Sequence, residues 1–282
     1  MQPKLEQQGF LTVVQNTDVD YLRLAYLQAM SIKLTMPGSK YAVLVDENTL
    51  AQVTDKHRQV FDYVILLNID HANEEKWKLA NEWQVHQLTP FKETIKVEAD
   101  LIFTRSIEHW WTIFRLRDIV LSIGSKDYQG NASTSRRYRK VFDDNDLPDV
   151  YNGLMYFRHT AMAAEFFYHA YYWFAHWENT QALIKNPDDK PTTDLVYALV
   201  VKELGLENCT LPSCDFINFT HMKNSINNWP ESKPWPELVV SEIDAPMIRI
   251  NGLNQYHPFH YQHKEWVTDD IIEKFEQCMK AN

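Results

Sequence analysis

The sequence predicts an α/β fold, in which a mostly parallel sheet is flanked by helices and the C-terminal third is less regular. Short apolar segments alternate with helix-like segments through the N-terminal part of the chain. Several of the apolar segments end in polar residues, a pattern typical of buried parallel strands. The chain has 282 residues, 45% of them hydrophobic, which is enough to bury a large core.

The N-terminal half contains four predicted strands with helices between them. Asp18 is the predicted N-cap of the first helix, and Pro37 with Gly38 ends it. Asp46 directly follows the second strand, and we interpret it as a turn residue. The predicted strands are Phe10–Val14, Tyr41–Val45, Tyr63–Leu67 and Thr94–Val97. The later predicted helices are Thr49–Phe61 and Glu74–His86.

The C-terminal half begins with a polar segment, Ser122–Ser135, which we predict to be a surface loop. A strongly aromatic helix follows at Ala161–Trp177, and we interpret its rings as core residues. Gly205 has the position of a helix C-terminal glycine. The other predicted elements are strands at Val150–Phe157 and Ile243–Ile250 and helices at Thr193–Leu204 and Val267–Met279.

Composition excludes some classes of protein and argues against others. Seven glycines form neither G-x-G-x-x-G nor G-x-x-x-x-G-K, so glycine-loop nucleotide-binding folds are excluded. The 28 basic and 38 acidic residues give a charge of −10, which argues against coating nucleic acid by bulk charge. Three cysteines, no signal peptide and no membrane span indicate a cytoplasmic protein with reduced thiols.

An acidic triplet, Glu98-Ala99-Asp100, follows the fourth predicted strand. Ligands of open α/β sheets bind at the carboxyl ends of the strands, and two carboxylates there can hold one divalent cation. Such a cation would hold and neutralise a nucleotide diphosphate. The alternative is that both acids merely begin a turn.

The sequence around this triplet resembles the core of GT-A-fold glycosyltransferases, in particular the glycogenin-like family. The matching residues are Lys78-Leu79, Trp83, Leu88–Phe91 and Ile95–Leu101. The resemblance implies a Rossmann-like GT-A fold and metal-dependent transfer of a sugar from a nucleotide-sugar. The family has aspartate where this chain has Glu98, so the metal preference departs from the family pattern.

Further matches follow in the order of the family. They are Asn16-Thr17-Asp18 with Tyr21, Tyr151–Met155, Thr193-Asp194, and His221 with Trp229. The resemblance implies nucleotide contacts from Asn16, Thr17 and Tyr21, a positive charge near the phosphates from Lys78, metal ligation by Glu98, Asp100 and His221, and sugar contacts from Asn152 and Asp194. The implied cofactors are Mn²⁺ or Mg²⁺ and a nucleotide-sugar, with a UDP-sugar as the expected donor.

Structural alternatives stand beside these roles. Asp194 is also placed to cap a helix, and His221 is also a candidate structural histidine. His257, His260 and His263 lie among aromatic residues, and we interpret them as part of aromatic packing rather than a metal site. For the whole chain, this resemblance implies a single domain over residues 1–282. Its nucleotide-sugar half spans about 8–115, and its acceptor half about 116–282.

A basic run, Arg136, Arg137, Arg139 and Lys140, lies in the predicted loop before the strand of Asn152. The sequence also resembles glycosyltransferase-like proteins of large bacteriophages, which share the segment Tyr256–Tyr261. A hydroxymethylated base in phage DNA is therefore one candidate acceptor, gripped by the basic run in the host cytoplasm. The alternatives are a glycan or protein acceptor, and a nucleotide-binding module without catalysis. The sequence does not indicate the oligomeric state.

Overall fold

A computed structural model describes residues 5–72, 77–132, 139–185, 189–211 and 217–281. The strands are β1 (Glu6–Val14), β2 (Tyr41–Val45), β3 (Tyr63–Leu66), β4 (Phe91–Val97), β5 (Leu101–Ile102), β6 (Ile119–Ile123), β7 (Val150–Arg158), β8 (Thr220–His221), β9 (Ser241–Asp244), β10 (Met247–Ile250), β11 (Leu253–Asn254) and β12 (Phe259–His260). The helices are α1 (Tyr21–Thr35), α2 (Glu47–Leu50), α3 (Asp55–Arg58), α4 (Val85–Leu88), α5 (Glu108–Phe114), α6 (Lys140–Asp144), α7 (Ala161–Ala175), α8 (Trp177–Thr180), α9 (Thr193–Leu204) and α10 (Asp269–Ala281). Short 3₁₀ segments lie at Leu79–Gln84, Gln181–Leu183, Glu207–Cys209, Trp235–Glu237 and Lys264–Trp266.

The central sheet has six strands in the order β3-β2-β1-β4-β7-β6. The first four are parallel, and β7 runs antiparallel to both of its neighbours. The predicted α/β fold with a mostly parallel sheet is therefore confirmed. Strand β6 was not predicted, and its last two residues, Ser122 and Ile123, correct the start of the segment that we predicted to be a surface loop.

Side chains of the central strands alternate between two apolar layers. In β7, Tyr156 packs into the layer with α1, α5 and α10, while its neighbour Phe157 packs into the layer with α7 and α9. In β1, Phe10 and Leu11 divide in the same way. This two-residue period is expected of a sheet covered on both faces, so the two helical layers hold the sheet rigid.

Several helix boundaries follow local sequence signals. Helix α9 has the predicted bounds and ends at Gly205, whose φ of 63° is the left-handed conformation that glycine adopts without strain. The side chain of Asp20, not Asp18, caps α1 by accepting from the Arg23 amide at 3.0 Å. The predicted helix Thr49–Phe61 is instead interrupted, and only α2 and α3 form within it.

Two predicted elements differ more strongly from the structure. Of the predicted helix Glu74–His86, residues 74–76 lie outside the described residues, and the remainder contains the 3₁₀ segment Leu79–Gln84 and the start of α4. The predicted strand Ile243–Ile250 is wrong, because the chain reverses at Ala245-Pro246 and forms the hairpin β9–β10. Proline cannot donate a ladder hydrogen bond, which favours a turn there.

The C-terminal part adds a small sheet that closes onto the carboxyl end of β4. Its strands have the order β5-β12-β8, with β12 in the centre. This sheet places His260 opposite His221 on one side and Leu101 on the other. Within the described ranges, no helix is both long enough and apolar enough to cross a membrane.

His86 on α4 is a buried histidine that stacks on Phe167 at a centroid distance of 5.8 Å. Burial and the neighbouring His159 lower the pKa of His86 from 6.5 to about 4. The unfolded chain therefore binds a proton at a pH at which the folded protein does not. Burial of the neutral His86 ring therefore does not lower the free energy of unfolding above pH 6.5. As the pH falls from 6.5 toward 4, the free energy of unfolding decreases.

We expect His86→Phe to reduce this loss of stability in acid, because phenylalanine keeps the ring packing and cannot bind a proton. Between pH 7 and pH 4, the wild type should lose on the order of 2–3 kcal/mol more unfolding free energy than the variant. Urea denaturation at both pH values measures the difference. His109→Phe, at an exposed position on α5, is the control. An equal loss in wild type and His86→Phe would contradict the prediction.

Candidate functional site

A cleft of about 470 Å³ opens at the carboxyl ends of β1 and β4. The N-terminus of α9, the start of β7 and the small sheet of β5, β12 and β8 complete its walls. Among its lining residues are acids, histidines and lysines from these different elements. They are Glu98, Asp100, Asp194, His221, His260, Lys78, Lys223 and Lys264.

The turn that carries the acidic triplet is fixed from below by Gln28 of α1. The buried Gln28 amide donates to the carbonyl oxygens of Glu98 at 2.6 Å and Leu101 at 2.8 Å. The Tyr261 amide donates to the Asp100 carbonyl at 3.1 Å. These backbone bonds leave the side chains of Glu98 and Asp100 to face the cleft.

His260 bridges the two acidic side chains. Its Nε2 lies 3.0 Å from Asp100 Oδ1 and 3.4 Å from Glu98 Oε2. The His260 ring is buried, and it comes from β12, more than 150 residues after the acids. The sequence interpretation of His260 as aromatic packing therefore missed its place, although Phe219 does pack against its ring at 5.9 Å.

Lys264 contributes a fixed positive charge to the same cluster. Its ammonium pairs with Asp100 Oδ2, on the side of the carboxylate away from His260. The chain reverses between them at Gln262, a non-glycine residue with φ of 54° that also lines the cleft. Left-handed backbone is uncommon for such a residue and is held here by the surrounding structure.

The charges of this cluster shift one another's proton affinities. Burial alone would raise the pKa of Asp100, but His260 and Lys264 hold it well below its usual range. Burial would lower the pKa of His260, and the Asp100 carboxylate raises it above its usual value instead. Desolvation raises the pKa of Glu98, against the opposing charge of His260. Asp100 is therefore a permanent anion in the cleft.

His221 lies directly behind His260, with the two rings stacked at 4.4 Å and 14°. Burial and the charge of His260 lower the pKa of His221 well below its usual value, so its ring is neutral. Neither ring nitrogen finds a hydrogen-bond partner in the part of the chain that the structure describes. His221 therefore borders the cleft with a neutral ring whose nitrogens are both buried.

The acids and His260 fit a divalent cation. One potential ligand atom from each of Glu98, Asp100 and His260 lies within 4.8 Å of the others. The 3.0 Å and 3.4 Å separations are those of neighbouring ligands around one cation at about 2.1 Å. Carboxylates are typical ligands of Mg²⁺ and Mn²⁺, and an imidazole is typical of transition-metal ions. His221 is adjacent to this group but not part of it.

Asp194 stands at the first turn of α9 and faces the cleft. The cap of α9 is Thr192, which accepts from the Leu195 amide at 3.2 Å, so Asp194 is not the cap. The Asp194 carboxylate instead accepts hydrogen bonds from the backbone N–H of Asn152 at 2.6 Å and from the Arg139 guanidinium at 2.9 Å. Both bonds hold its carboxylate at the cleft wall.

Asn152 lies beneath the cleft rather than in its lining. Its side-chain oxygen accepts from Lys96 at 2.8 Å, and its amide nitrogen lies 3.4 Å from Glu98 Oε1. Lys96 is fully buried and also pairs with Glu82. Asn152 therefore connects a buried cation to the acidic pair and holds Glu98 in position.

The predicted nucleotide contacts are divided between the cleft and its support. Thr17 and Tyr21 line the cleft. Asn16 does not, because its side-chain oxygen accepts from the Leu22 amide and its amide donates to Gln52, each at 2.8 Å. Asn16 thus joins the end of β1 to the start of α1.

Lys78 lines the opposite side of the cleft. Its ammonium donates to the Ala72 carbonyl at 2.6 Å and lies 3.6 Å from Asp70. Asp46, interpreted as a turn residue, caps α2 by accepting from the Thr49 amide at 2.8 Å.

The predicted basic strip does not form a continuous surface in the described residues. Arg136 and Arg137 lie outside the described residues. The prediction of an acceptor contact at Arg139 is not met, since its side chain is only 3% exposed and pairs with Asp149 and Asp194. Lys140 is exposed and pairs with Asp144 on its own helix.

The charged and polar cleft residues that were not predicted from the sequence include Lys223, Gln262 and Lys264. They share the cleft with His260 because β12 inserts between β5 and β8. The regular spacing of His257, His260 and His263 was the one sequence feature that pointed to this segment. It did not indicate that His260 would lie beside Glu98 and Asp100.

Comparison with solved structures shows a GT-A glycosyltransferase fold. A crystal structure of the galactosyltransferase LgtC with donor and acceptor sugar analogues superposes at a TM-score of 0.51 and 11% identity, covering 96% of this chain and 94% of that one. The predicted GT-A fold is thus confirmed.

Two further similar structures have TM-scores of 0.44. Mouse xyloside xylosyltransferase 1 is 12% identical over 73% of this chain and 84% of that one. GlyE of Streptococcus pneumoniae is 10% identical over 73% of this chain and 46% of its own length. No protein-family model and no curated protein sequence matches this chain.

Arg139→Met should destabilise the protein strongly, because it leaves Asp149 and Asp194 partly buried without their cation. We expect the free energy of unfolding to fall by about 3–5 kcal/mol. Lys140→Met, one residue along and on the surface, should change it by less than about 0.5 kcal/mol. Chemical denaturation measures both, and equal effects would place Arg139 on the surface after all.

Lys264→Met should tighten the binding of Mn²⁺ in the absence of nucleotide, because it removes a cation that competes for Asp100. A gain of about tenfold in affinity corresponds to one displaced ion pair of moderate strength. Titration followed by electron paramagnetic resonance counts the free Mn²⁺. Lys280→Met on the exposed end of α10 is the matched control. Unchanged or weaker binding in Lys264→Met would contradict the competition.

Proposed function

We propose that this protein is a metal-dependent glycosyltransferase that transfers a sugar from a nucleotide-sugar to a hydroxyl acceptor. The observation that carries the proposal is the convergence of Glu98, Asp100 and His260 within one GT-A cleft. Three lysines, Lys78, Lys223 and Lys264, line the same cleft and suit a diphosphate. This combination of acids for a cation and cations for phosphates fits a nucleotide-sugar better than an uncharged ligand.

Glu98, Asp100 and His260 would hold the divalent cation, Mn²⁺ or Mg²⁺. When bound, that cation supplies neutralisation of the charge that develops on the leaving diphosphate. We keep His221, the nitrogen ligand that the sequence resemblance implies, as an alternative, because its ring stacks directly on that of His260. Lys264 is free to turn from Asp100 toward the phosphates once the carboxylate has another partner.

In the transfer step, the bond between the anomeric carbon and the diphosphate oxygen breaks, and its electron pair stays with the diphosphate. The acceptor oxygen bonds to the anomeric carbon, and its proton leaves to the diphosphate or to solvent. Asp194, held by Arg139 and the Asn152 amide, would face the donor sugar and orient its hydroxyls. Asn152 would contribute by holding Glu98 and Asp194 rather than by touching the sugar.

The donor nucleotide would lie between the end of β1 and the lysines. Thr17 and Tyr21 are placed to contact it, with Asn16 supporting their turn. We propose a UDP-sugar as the donor. The protein would then be a single domain, with a donor half at about residues 8–115 and an acceptor half at about residues 116–282.

The acceptor we favour is a saccharide. LgtC, which shares the fold, was crystallised with donor and acceptor sugar analogues. A hydroxymethylated base of phage DNA is less well supported as the acceptor, because the Arg139 side chain that would contact it is buried.

A nucleotide-binding module without catalysis is the second candidate function, because Asp100 already has a cation partner in Lys264. We also propose a cytoplasmic location, on the sequence evidence given above.

Calorimetric titration of UDP with and without Mn²⁺ tests the donor site. We expect Mn²⁺ to strengthen the binding of UDP, and Asp100→Asn to weaken the metal-dependent part by at least about tenfold, because it removes a ligand. Asp270→Asn on the surface of α10 is the control. Metal-independent binding in the wild type, or unchanged binding in Asp100→Asn, would refute the proposal. Release of free sugar from UDP-sugars separates an enzyme from a binding module.

The nitrogen ligand can be identified in the same titration. His260→Ala should weaken the metal-dependent binding of UDP more than His221→Ala does, because only His260 Nε2 lies within 3.4 Å of both acids. The reverse order would assign the ligand role to His221.

A further inference from the structure

A second cavity, of about 330 Å³, lies beside the donor cleft, between α7–α8 and the 3₁₀ segment Leu79–Gln84. We call it the aromatic cavity. Its volume falls within the roughly 300–1,000 Å³ of small-ligand sites. The residues that define it here are His71, Trp77, Trp83, Tyr171, Glu178 and Asn179.

Three rings form one wall of the aromatic cavity. Trp83 and Tyr171 lie 4.6 Å apart at 52°, and His71 lies 5.6 Å from Trp83 and 5.8 Å from Tyr171. Tyr171 and Trp83 are both half-buried. Tyr171 is therefore not a core residue, although we predicted that the rings of its helix would be buried in the core. Tilted rings of this kind offer apolar faces to a flat ligand.

Polar groups stand around these rings. Glu178 and Asn179 are exposed on α8, and Asp189 and Lys190 line the cavity from the connection to α9. Among the described residues of the rim, two carboxylates and one ammonium give a net negative charge, which disfavours a polyanion such as nucleic acid. The Trp83 indole Nε1 is buried, so this residue offers the cavity its ring rather than its polar nitrogen.

The aromatic cavity and the donor cleft meet at Trp77. This residue lines both, and Lys78, the next in the chain, lines the donor cleft. A molecule in the aromatic cavity therefore lies next to the part of the donor cleft that Trp77 and Lys78 form. The occupant must have an apolar face for the rings and hydroxyl groups for the carboxylates and the Asn179 amide.

We propose that the aromatic cavity binds a neutral saccharide and serves as the acceptor subsite. The acceptor role rests on the proposed function. Binding of the saccharide itself does not require catalysis. Pyranose rings meet the chemistry of the site, since their C–H faces are apolar and their edges carry hydroxyls. The net acidic rim separates this occupant from DNA and from phosphorylated sugars.

The test is saccharide binding to the full-length protein without donor, using maltotriose, cellotriose and chitotriose as probes. Saturation-transfer NMR detects contact, and calorimetry gives the dissociation constant. We expect at least one probe to bind, and Tyr171→Ala to weaken it by about tenfold through loss of one ring. Tyr172→Ala is the matched control, because the neighbouring Tyr172 is exposed and stacks on His176 outside the cavity.

Glu178→Gln keeps the test informative if Tyr171→Ala unfolds, since Glu178 is exposed and its loss should weaken the same probe. The proposal is overturned if none of the three probes binds, if Tyr171→Ala and Tyr172→Ala bind equally, or if a DNA oligonucleotide displaces the probe. Hydrolysis of a UDP-sugar with Mn²⁺ is measured in parallel. Saccharide binding without hydrolysis would refute the proposed function alone, and hydrolysis without saccharide binding would refute the subsite alone.

Discussion

The carboxylate of Asp100 is a buried charge that links the central sheet to the C-terminal part of the chain. It stands at the end of β4 and pairs with His260 and Lys264, which come from the far end of the chain. These contacts add to the backbone pairing of β5 with β12 and to the apolar packing of Phe259 and Tyr261, which together close the small sheet over the cleft. A buried carboxylate needs cationic or hydrogen-bonding partners, and here they also shape the site.

Paired charges also lie beneath the cleft and in its wall. Lys96 is a fully buried cation, neutralised by Glu82 and hydrogen-bonded to Asn152, which in turn contacts Glu98. On the opposite wall, Arg139 balances Asp194. Charges of opposite sign therefore alternate from the core to the cleft surface. Such a network orients each acid more firmly than packing alone, because every displacement would expose a buried charge to an apolar environment.

Aromatic residues divide between structure and the proposed acceptor site. The rings of Phe166 and Phe167 on α7 are buried in the layer that covers the sheet. Tyr171 lies on the same helix yet lines the aromatic cavity with Trp83. One helix thus contributes to the core through one part of its surface and to a potential ligand site through another. Trp77 places that site directly beside the donor cleft.

The sequence by itself determined the order of the central elements, since apolar period and helix caps are local signals that predict β2 and α9 at their observed bounds. It also placed Asp100 at the carboxyl end of a strand. Tertiary structure alone decided that His260 and Lys264 meet Asp100 and that Arg139 is buried. The reason is physical: pairing of distant charges depends on how β12 docks between β5 and β8, and no local pattern in the chain encodes that contact.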